Sequence, residues 1–256
     1  MGELINENRI YIKDISKEYK DEFGFKVSLL KNITLSLEID KVTSIIAPEG
    51  SGKTSLLKII AGIDNPTGGG INYHHHFKNI CIPTISSSFP WMTVVENIKF
   101  ARPDISGENL NAILELIGLD GYENHIPNNK STGFRYRISL GRALAANPDF
   151  IILDEPFLNM DIETKEECYQ LTRDIFLQKN IPFVLGTNNI TEAVFLSDKI
   201  YLMKKNPGEI IDFVDNTLPK NRNLNSITSS QFNEIRVSIE ETFKMKESYK
   251  SLNFSI

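Results

Sequence analysis

The chain has 256 residues, 41% hydrophobic and 24% charged, which suffices for one large domain or a core with a smaller lobe. Its net charge of −5 excludes broad electrostatic attraction to nucleic acid or anionic lipid, though not a local basic patch. Cys81 and Cys168 stand far apart, which excludes a disulfide framework or a zinc spacing, and no apolar run is long enough to span a bilayer.

The opening stretch MGELINENRIYIKD has neither the basic nor the apolar region of a signal peptide, so membrane association is expected only through a partner. RIYIKDISKEY and SLLKNITLSLEI show the alternation and β-branching of strands. KVTSIIA is a continuous apolar run, the pattern of a strand buried on both faces. It leads into APEGSGKTSLLKIIAG, a Gly-rich turn and a helix with Leu56, Leu57, Ile59 and Ile60 on its inner side, ended by Gly62 and Pro66.

Residues 71–83 read as a short hairpin with His74, His75 and His76 at a solvent-facing tip. Side chains alternate along a strand, so three adjacent histidines do not converge on one metal. From Trp91 to Ala146 the pattern turns helical, in TVVENIKFA, GENLNAILELIGL and GFRYRISLGRALAA. Strands return in FIILDEP and PFVLGT, on either side of the helix IETKEECYQLTRDIFLQKN. KIYLMKK follows, then a turn at NPGE and a polar tail with one helix near residues 230–247. Arg135 and Arg137 are expected on a solvated or partner-facing surface, and Glu163, Glu166 and Glu167 on a solvated helix face. The alternation predicts one domain over 1–256. An α/β core spans 1–83 and 143–217, a helical lobe is inserted at 84–142, and a C-terminal tail covers 218–256.

Two motifs carry chemistry. In the phosphate loop APEGSGKTS (47–55), Gly50, Ser51 and Gly52 turn successive N–H groups toward phosphate oxygens, and the helix N-terminus at Lys53, Thr54 and Ser55 adds partial positive charge. Lys53 reaches the β- and γ-phosphates and the Thr54 hydroxyl binds Mg²⁺. Ala47 stands where the formal pattern has glycine, and is tolerated if its φ stays negative. In FIILDEP, Asp154 offers a hard oxygen ligand for the nucleotide's Mg²⁺, directly or through water, and Glu155 orients or deprotonates the attacking water. Acidic residues at a strand end can simply face solvent. The apolar run before these two, about a hundred residues beyond a phosphate loop, favours the catalytic reading.

These segments resemble the ATP-binding subunits of ABC transporters, over most of the chain. IIAPEGSGKTSLLKIIAGIDNPTGG is similar to the family's Walker A segment, GRALAANPDFIILDEPF to its Walker B run, and TEAVFLSDKIYLM with NPGEI to the end of its catalytic core. FPWMTVVENIKFA and TLPKNRN resemble importer ATPases for nitrate, sulfonates and taurine. The resemblance implies a P-loop ATPase core with a mixed sheet and an N-terminal antiparallel β subdomain, plus an inserted α-helical lobe. It also implies ATP and Mg²⁺ as cofactors. A second ATPase subunit would close an ATP sandwich, joined by transmembrane permease subunits and a solute-binding protein. The expected place is the cytoplasmic face of the cell membrane, peripherally bound, with no nucleic-acid partner. Tyr19 matches the aromatic that stacks on adenine. Packing on the sheet edge is its alternative role, and Phe23 and Phe25 are substitutes for it.

The chain departs from the family at several positions. The signature turn reads KSTGF, in which Ser131 and Gly133 remain while Lys130 and Thr132 replace Leu and Gly. Ser131, Thr132 and Gly133 would meet the opposing subunit's nucleotide. Thr132 adds a branched side chain there, and Lys130 either attracts phosphate or, the favoured reading, points into solvent. The Q-loop glutamine, which would neighbour the metal, falls at Thr84. The switch histidine falls at Asn188, and the D-loop aspartate at Asp161. Asn188 can donate a hydrogen bond but cannot become cationic. Losing one transition-state donor typically costs about 2.7–4 kcal/mol, roughly 10²–10³ in rate. The expectation is therefore ATP binding with weakened or partner-dependent hydrolysis. The rival is a non-hydrolysing structural or regulatory subunit of a heteromeric complex. A soluble ABC protein of DNA repair or translation is disfavoured by the acidic balance and by FPWMTVVENIKFA.

Overall fold

The computed structural model describes residues 9–72, 77–84, 88–128 and 130–252, with side chains as far as Lys246. The chain divides into two compact units, Met1–His76 with Pro182–Ile256, and Phe77–Ile181.

In the first unit, β1 (Arg9–Lys20) and β2 (Lys26–Glu38) form an antiparallel hairpin, and β4 (Gly68–Asn72) pairs antiparallel on the other side of β1. The second sheet of this unit is mixed. β3 (Thr43–Ile46) lies between β7 (Phe183–Thr187) and β8 (Lys199–Lys204), parallel to both, and β9 (Glu209–Asp215) runs antiparallel on β8. All of β3 is buried, as its unbroken apolar run requires. Helix α1 (Lys53–Ile60) leaves the end of β3 and buries Leu56, Leu57, Ile59 and Ile60, each worth roughly 1.5–3 kcal/mol. Helix α6 (Ile190–Leu196), a 3₁₀ turn (Leu224–Thr228) and α7 (Ser230–Leu252) complete the unit.

In the second unit, β5 (Asn79–Ile82) runs parallel to β6 (Phe150–Asp154), with α2 (Val94–Ala101), α3 (Gly107–Leu116), α4 (Thr132–Ala145) and α5 (Ile162–Lys179) around them. A capping box fixes the start of α2, with Thr93 Oγ1 accepting from the Glu96 N–H and the Glu96 carboxylate accepting from the Thr93 N–H. Helices α2 and α4 approach closely because Gly141 has no side chain. A Cβ there would stand 3.1 Å from Ile98 Cδ1 and 2.7 Å from Ile117 Cδ1.

Three expectations are corrected. Residues 71–83 are not a hairpin, because β4 pairs with β1 whereas β5 pairs with β6. Short strands do not name their partners, and Gly69 of β4 fits a tight bulge: a Cβ there would lie 2.3 Å from the Asp14 carbonyl oxygen. His74, His75 and His76 lie outside the described residues. The stretch after NPGE is a strand, β9, masked in sequence by its half-exposed edge position. Arg137 is not a solvated surface group. Its side chain is 20% exposed, and it donates to the Ile117 carbonyl at 2.9 Å and to Glu167 at 3.2 Å.

Candidate nucleotide site

The loop between β3 and α1 is shaped by glycine. Gly50 (φ +76°) and Gly52 (φ +87°) are both left-handed, a conformation that other residues adopt at a cost. Gly52 also lacks room, since a Cβ would lie 2.8 Å from Leu30 Cδ2. Ala47 is not among the left-handed residues. It is buried and its N–H donates to the Thr187 carbonyl at 3.1 Å, so its methyl group is carried without strain.

Helix α1 is unlike α2 to α6, each of which has a side-chain N-cap. Gly52 gives it none, and its first turn has no carboxylate. Its leading N–H groups are thus left for an external anion. The Ser51 hydroxyl points the same way: it is buried, with no hydrogen-bond partner among the described residues. Lys53 is 6% exposed. Its stem runs under Gly186 of β7, where a Cβ would lie 3.2 Å from Lys53 Cγ and Cδ and 2.5 Å from Leu57 Cδ1. Thr54 is exposed and Ser55 half-buried on the first helical turn. The loop, the free helix N-terminus and the buried lysine together fit a polyphosphate.

Asn188 follows β7 and is exposed, on a corner held from both sides. The Thr187 hydroxyl donates to the buried Glu192 carboxylate at 2.5 Å and accepts from the Asn189 N–H at 3.0 Å, while Asn189 caps α6. Tyr19, Phe23 and Phe25 are exposed by 49%, 83% and 71% at the turn end of the β1–β2 hairpin. Lys53, Thr54, Asn188 and Tyr19 thus belong to the first unit.

The second unit carries the other expected residues. Asp154 ends β6 and is 5% exposed. Glu155 has φ +48°, a left-handed conformation that costs a non-glycine residue about 1 kcal/mol or more and that recurs at reactive sites. Thr84 is half-buried just after β5. Ser131 is the N-cap of α4, its hydroxyl oxygen accepting from the Phe134 N–H at 3.2 Å, and Thr132 opens the helix half-buried. Gly133 is buried against α5, where a Cβ would stand 2.5 Å from Thr164 Cγ2. Lys130 does not simply point into solvent, because its ammonium lies 5.6 Å from the centre of the Phe134 ring. Tyr122, Lys130, Ser131, Phe134 and Arg137 line a cavity of about 280 Å³ at this turn. Asp161 caps α5, accepting from the Thr164 N–H at 2.9 Å and its hydroxyl at 2.8 Å, and these bonds hold its carboxyl below the usual range.

The family model for ABC transporters matches residues 30–158, just over half of the chain. The chain belongs to the ABC transporter family. This cassette is an ATP-binding, ATP-hydrolysing importer subunit. Over 246 residues it is 33% identical to an aliphatic sulfonates import ATP-binding protein, SsuB, of Bacillus cereus, covering 92% of this chain and 96% of that protein. It is 31% identical to the nitrate import ATP-binding protein NrtD of Synechocystis sp. (strain ATCC 27184 / PCC 6803 / Kazusa), over 82% of this chain and 86% of that one. Among solved structures, the dimeric ATP-binding cassette MJ0796 in a post-hydrolysis state with ADP and Pi matches with a TM-score of 0.71 and 26% identity. That match covers 82% of this chain and all of the other. Among its described residues the cassette has no helix long and apolar enough to cross a membrane.

Two contributors to this site escape a motif reading: Gly186 and Glu192. Only Glu192 leaves a local trace, in the N-x-x-E spacing from the cap Asn189.

Proposed function

We propose that this cassette powers an importer for a small nutrient of the nitrate, sulfonate or taurine kind. The observation that carries the reading is the end-to-end similarity to subunits named for aliphatic sulfonates and nitrate import. A second ATPase subunit completes an ATP sandwich, a reading supported by the dimeric cassettes of the same fold. Transmembrane permease subunits hold the pair peripherally at the cytoplasmic face of the membrane, and a solute-binding protein delivers the cargo. Residues 1–83 and 143–217 form the nucleotide core, 84–142 the helical lobe, and 218–256 the tail.

In this reading Lys53, the Ser51 hydroxyl and the N–H groups of Gly50 to Ser55 hold the phosphates, and Tyr19 stacks on adenine. Thr54 and Asp154 would hold Mg²⁺, and Thr84 takes the Q-loop position; hard oxygen donors suit that ion, which would neutralise charge on the phosphate oxygens. Glu155 orients or deprotonates the attacking water, and Asn188 donates a hydrogen bond but no charge. Ser131, Thr132 and Gly133 serve the partner's nucleotide.

Hydrolysis is weakened, or depends on a partner. Asn188 lacks the histidine's charge, Thr132 puts a branched side chain where glycine is usual, and Lys130 is engaged with Phe134. A heteromeric pair, in which a partner's intact signature completes this chain's site, is the arrangement that best offsets these changes. ATP turnover measured with the purified chain alone and then with its permease tests this. Brisk turnover by the chain alone, abolished by Glu155→Gln, overturns the weakening. Tight ATP binding with no turnover in the whole transporter supports a non-hydrolysing subunit instead. Uptake of labelled sulfonate, taurine or nitrate by the assembled importer tests the cargo.

A further inference from the structure

In the first unit, where α7 passes the β8–β9 turn, lies a cavity of about 210 Å³. Its lining is of two kinds. Lys204, Lys205 and Lys246 line it together with Asn206, and among the described residues no carboxylate does. Pro48, Ile211 and Phe243 form an apolar wall. Lys204 is already ion-paired with Glu209. Lys205 and Lys246 are exposed and have no ion-pair partner among the described residues.

The helix itself delivers part of this lining. Phe232 and Ile239 of α7 are buried, and positions 232, 239, 243 and 246 follow one another at helical spacing along a single face. The stripe that docks α7 therefore continues into the cavity as Phe243 and ends in a cation. An ordinary solvated surface intersperses charges of both signs. Here Lys205 and Lys246 set two cations beside an apolar wall, an arrangement that favours an anion with an apolar part. Pro48 belongs to the phosphate loop, so this cavity shares a wall with the loop that holds the nucleotide.

We infer that this cavity binds a small organic anion, with a sulfonate-type head held by Lys205 and Lys246 and a short alkyl part against Phe243 and Ile211. Its volume is below the roughly 300–1,000 Å³ of pockets for drug-sized ligands, which suits a compact molecule. The choice of a sulfonate rests on the cargo reading above; the need for an anion does not.

The test is calorimetric titration of butane-1-sulfonate and of inorganic sulfate into the purified full chain, with the phosphate loop kept saturated by a non-hydrolysable ATP analogue. The expected result is saturable binding of butane-1-sulfonate, tighter than sulfate, weakened at least about tenfold in Lys205→Glu/Lys246→Glu. Affinity for the nucleotide analogue and the melting temperature should stay close to wild type, which shows that the variant is folded. Absence of saturable binding overturns the inference, as does equal binding by the double variant. Equal affinity for sulfate overturns the organic ligand, and sulfonate binding that the nucleotide analogue abolishes assigns it to the phosphate loop. Uptake by the assembled importer separates the two readings: sulfonate transport without binding here sinks only this site, and binding here without transport sinks only the cargo.

Discussion

Gly208 sits directly against the backbone of Ser51: a Cβ on Gly208 would stand 2.3 Å from the Ser51 carbonyl oxygen and 2.3 Å from Met203 Cε. The contact is fixed by a backbone clamp, in which the Gly208 N–H donates to the Leu29 carbonyl and the Lys31 N–H donates to the Gly208 carbonyl, both at 2.9 Å. The β8–β9 turn is thus a seat for the phosphate loop, and the glycine is required by space, since its φ is not left-handed. Gly208→Ala is expected to cost about 1–3 kcal/mol by overpacking and to push the loop from its place. Fluorescent-ATP titration should show weaker binding than in Gly107→Ala, where nothing lies within 4 Å of the added carbon. Equal affinity in the two variants would show that the loop does not depend on this seat.

Gly186 does the same for the lysine. Its added methyl would meet Leu57 Cδ1 at 2.5 Å and the Lys53 stem at 3.2 Å. Leu57 is fully buried and cannot swing away cheaply, so Lys53 must give. Gly186→Ala should therefore raise the KM for ATP, with the melting temperature lowered as well by the clash with Leu57. A loss of stability with unchanged KM argues against this role.

The start of the tail is held by a buried guanidinium. Arg222 has no exposed side-chain surface. It donates to the Phe195 and Ser197 carbonyls at 2.5 Å, to the Pro219 carbonyl at 3.0 Å, and is paired with Asp198 at 3.4 Å. Those first carbonyls belong to the end of α6, where a cation is favoured. Arg222→Ala strands the acceptors and Asp198, and is expected to cost about 3–5 kcal/mol in chemical denaturation. Arg222→Lys should rescue little of this, because an ammonium cannot span the same fork of acceptors.

What could be read in the sequence follows from what is local. The phosphate loop, β3 and FIILDEP were legible because burial on both faces leaves an unbroken apolar run and a tight turn leaves glycine. Strand β9 was not, since Asp212, Phe213 and Asp215 are exposed along a sheet edge and its pairing with β8 is a tertiary fact. Gly186 and Gly208 are required by Leu57 and Ser51, which lie more than a hundred residues earlier in the chain, so no window of sequence holds both partners. Arg222 looked like one more polar residue of the tail, and only its burial under α6 gives it a role.

Asn188 offers a gain-of-function test. The corner that carries it is held by Thr187, Asn189 and Glu192, so a histidine placed there inherits a fixed backbone. Asn188→His is expected to raise kcat in the assembled transporter by roughly tenfold or more, within the range that one restored transition-state donor supplies. Thr132→Gly should add to it only when this chain's own signature faces the nucleotide being hydrolysed. An unchanged kcat in Asn188→His would mean that the switch position does not limit turnover.

The two thiols should differ in both reactivity and linkage to stability. Cys168 is buried beside Gly133, and burial pushes its thiol up to about 11, opposed by Arg137 and helped by Glu167 and Asp161. Below pH 9 the thiol is protonated whether the chain is folded or not, and stability does not depend on it. Between about pH 9 and 11 the unfolded chain releases this proton and the folded chain retains it, so the unfolded state binds fewer protons and stability falls as pH rises. The slope is about 1.4 kcal/mol per pH unit, and Cys168→Ala should remove that part of the alkaline loss. Alkylation at pH 8 should mark half-buried Cys81 first and reach Cys168 only on unfolding. Rapid labelling of Cys168 in the native chain would show that the contact between α4 and α5 opens at the signature turn.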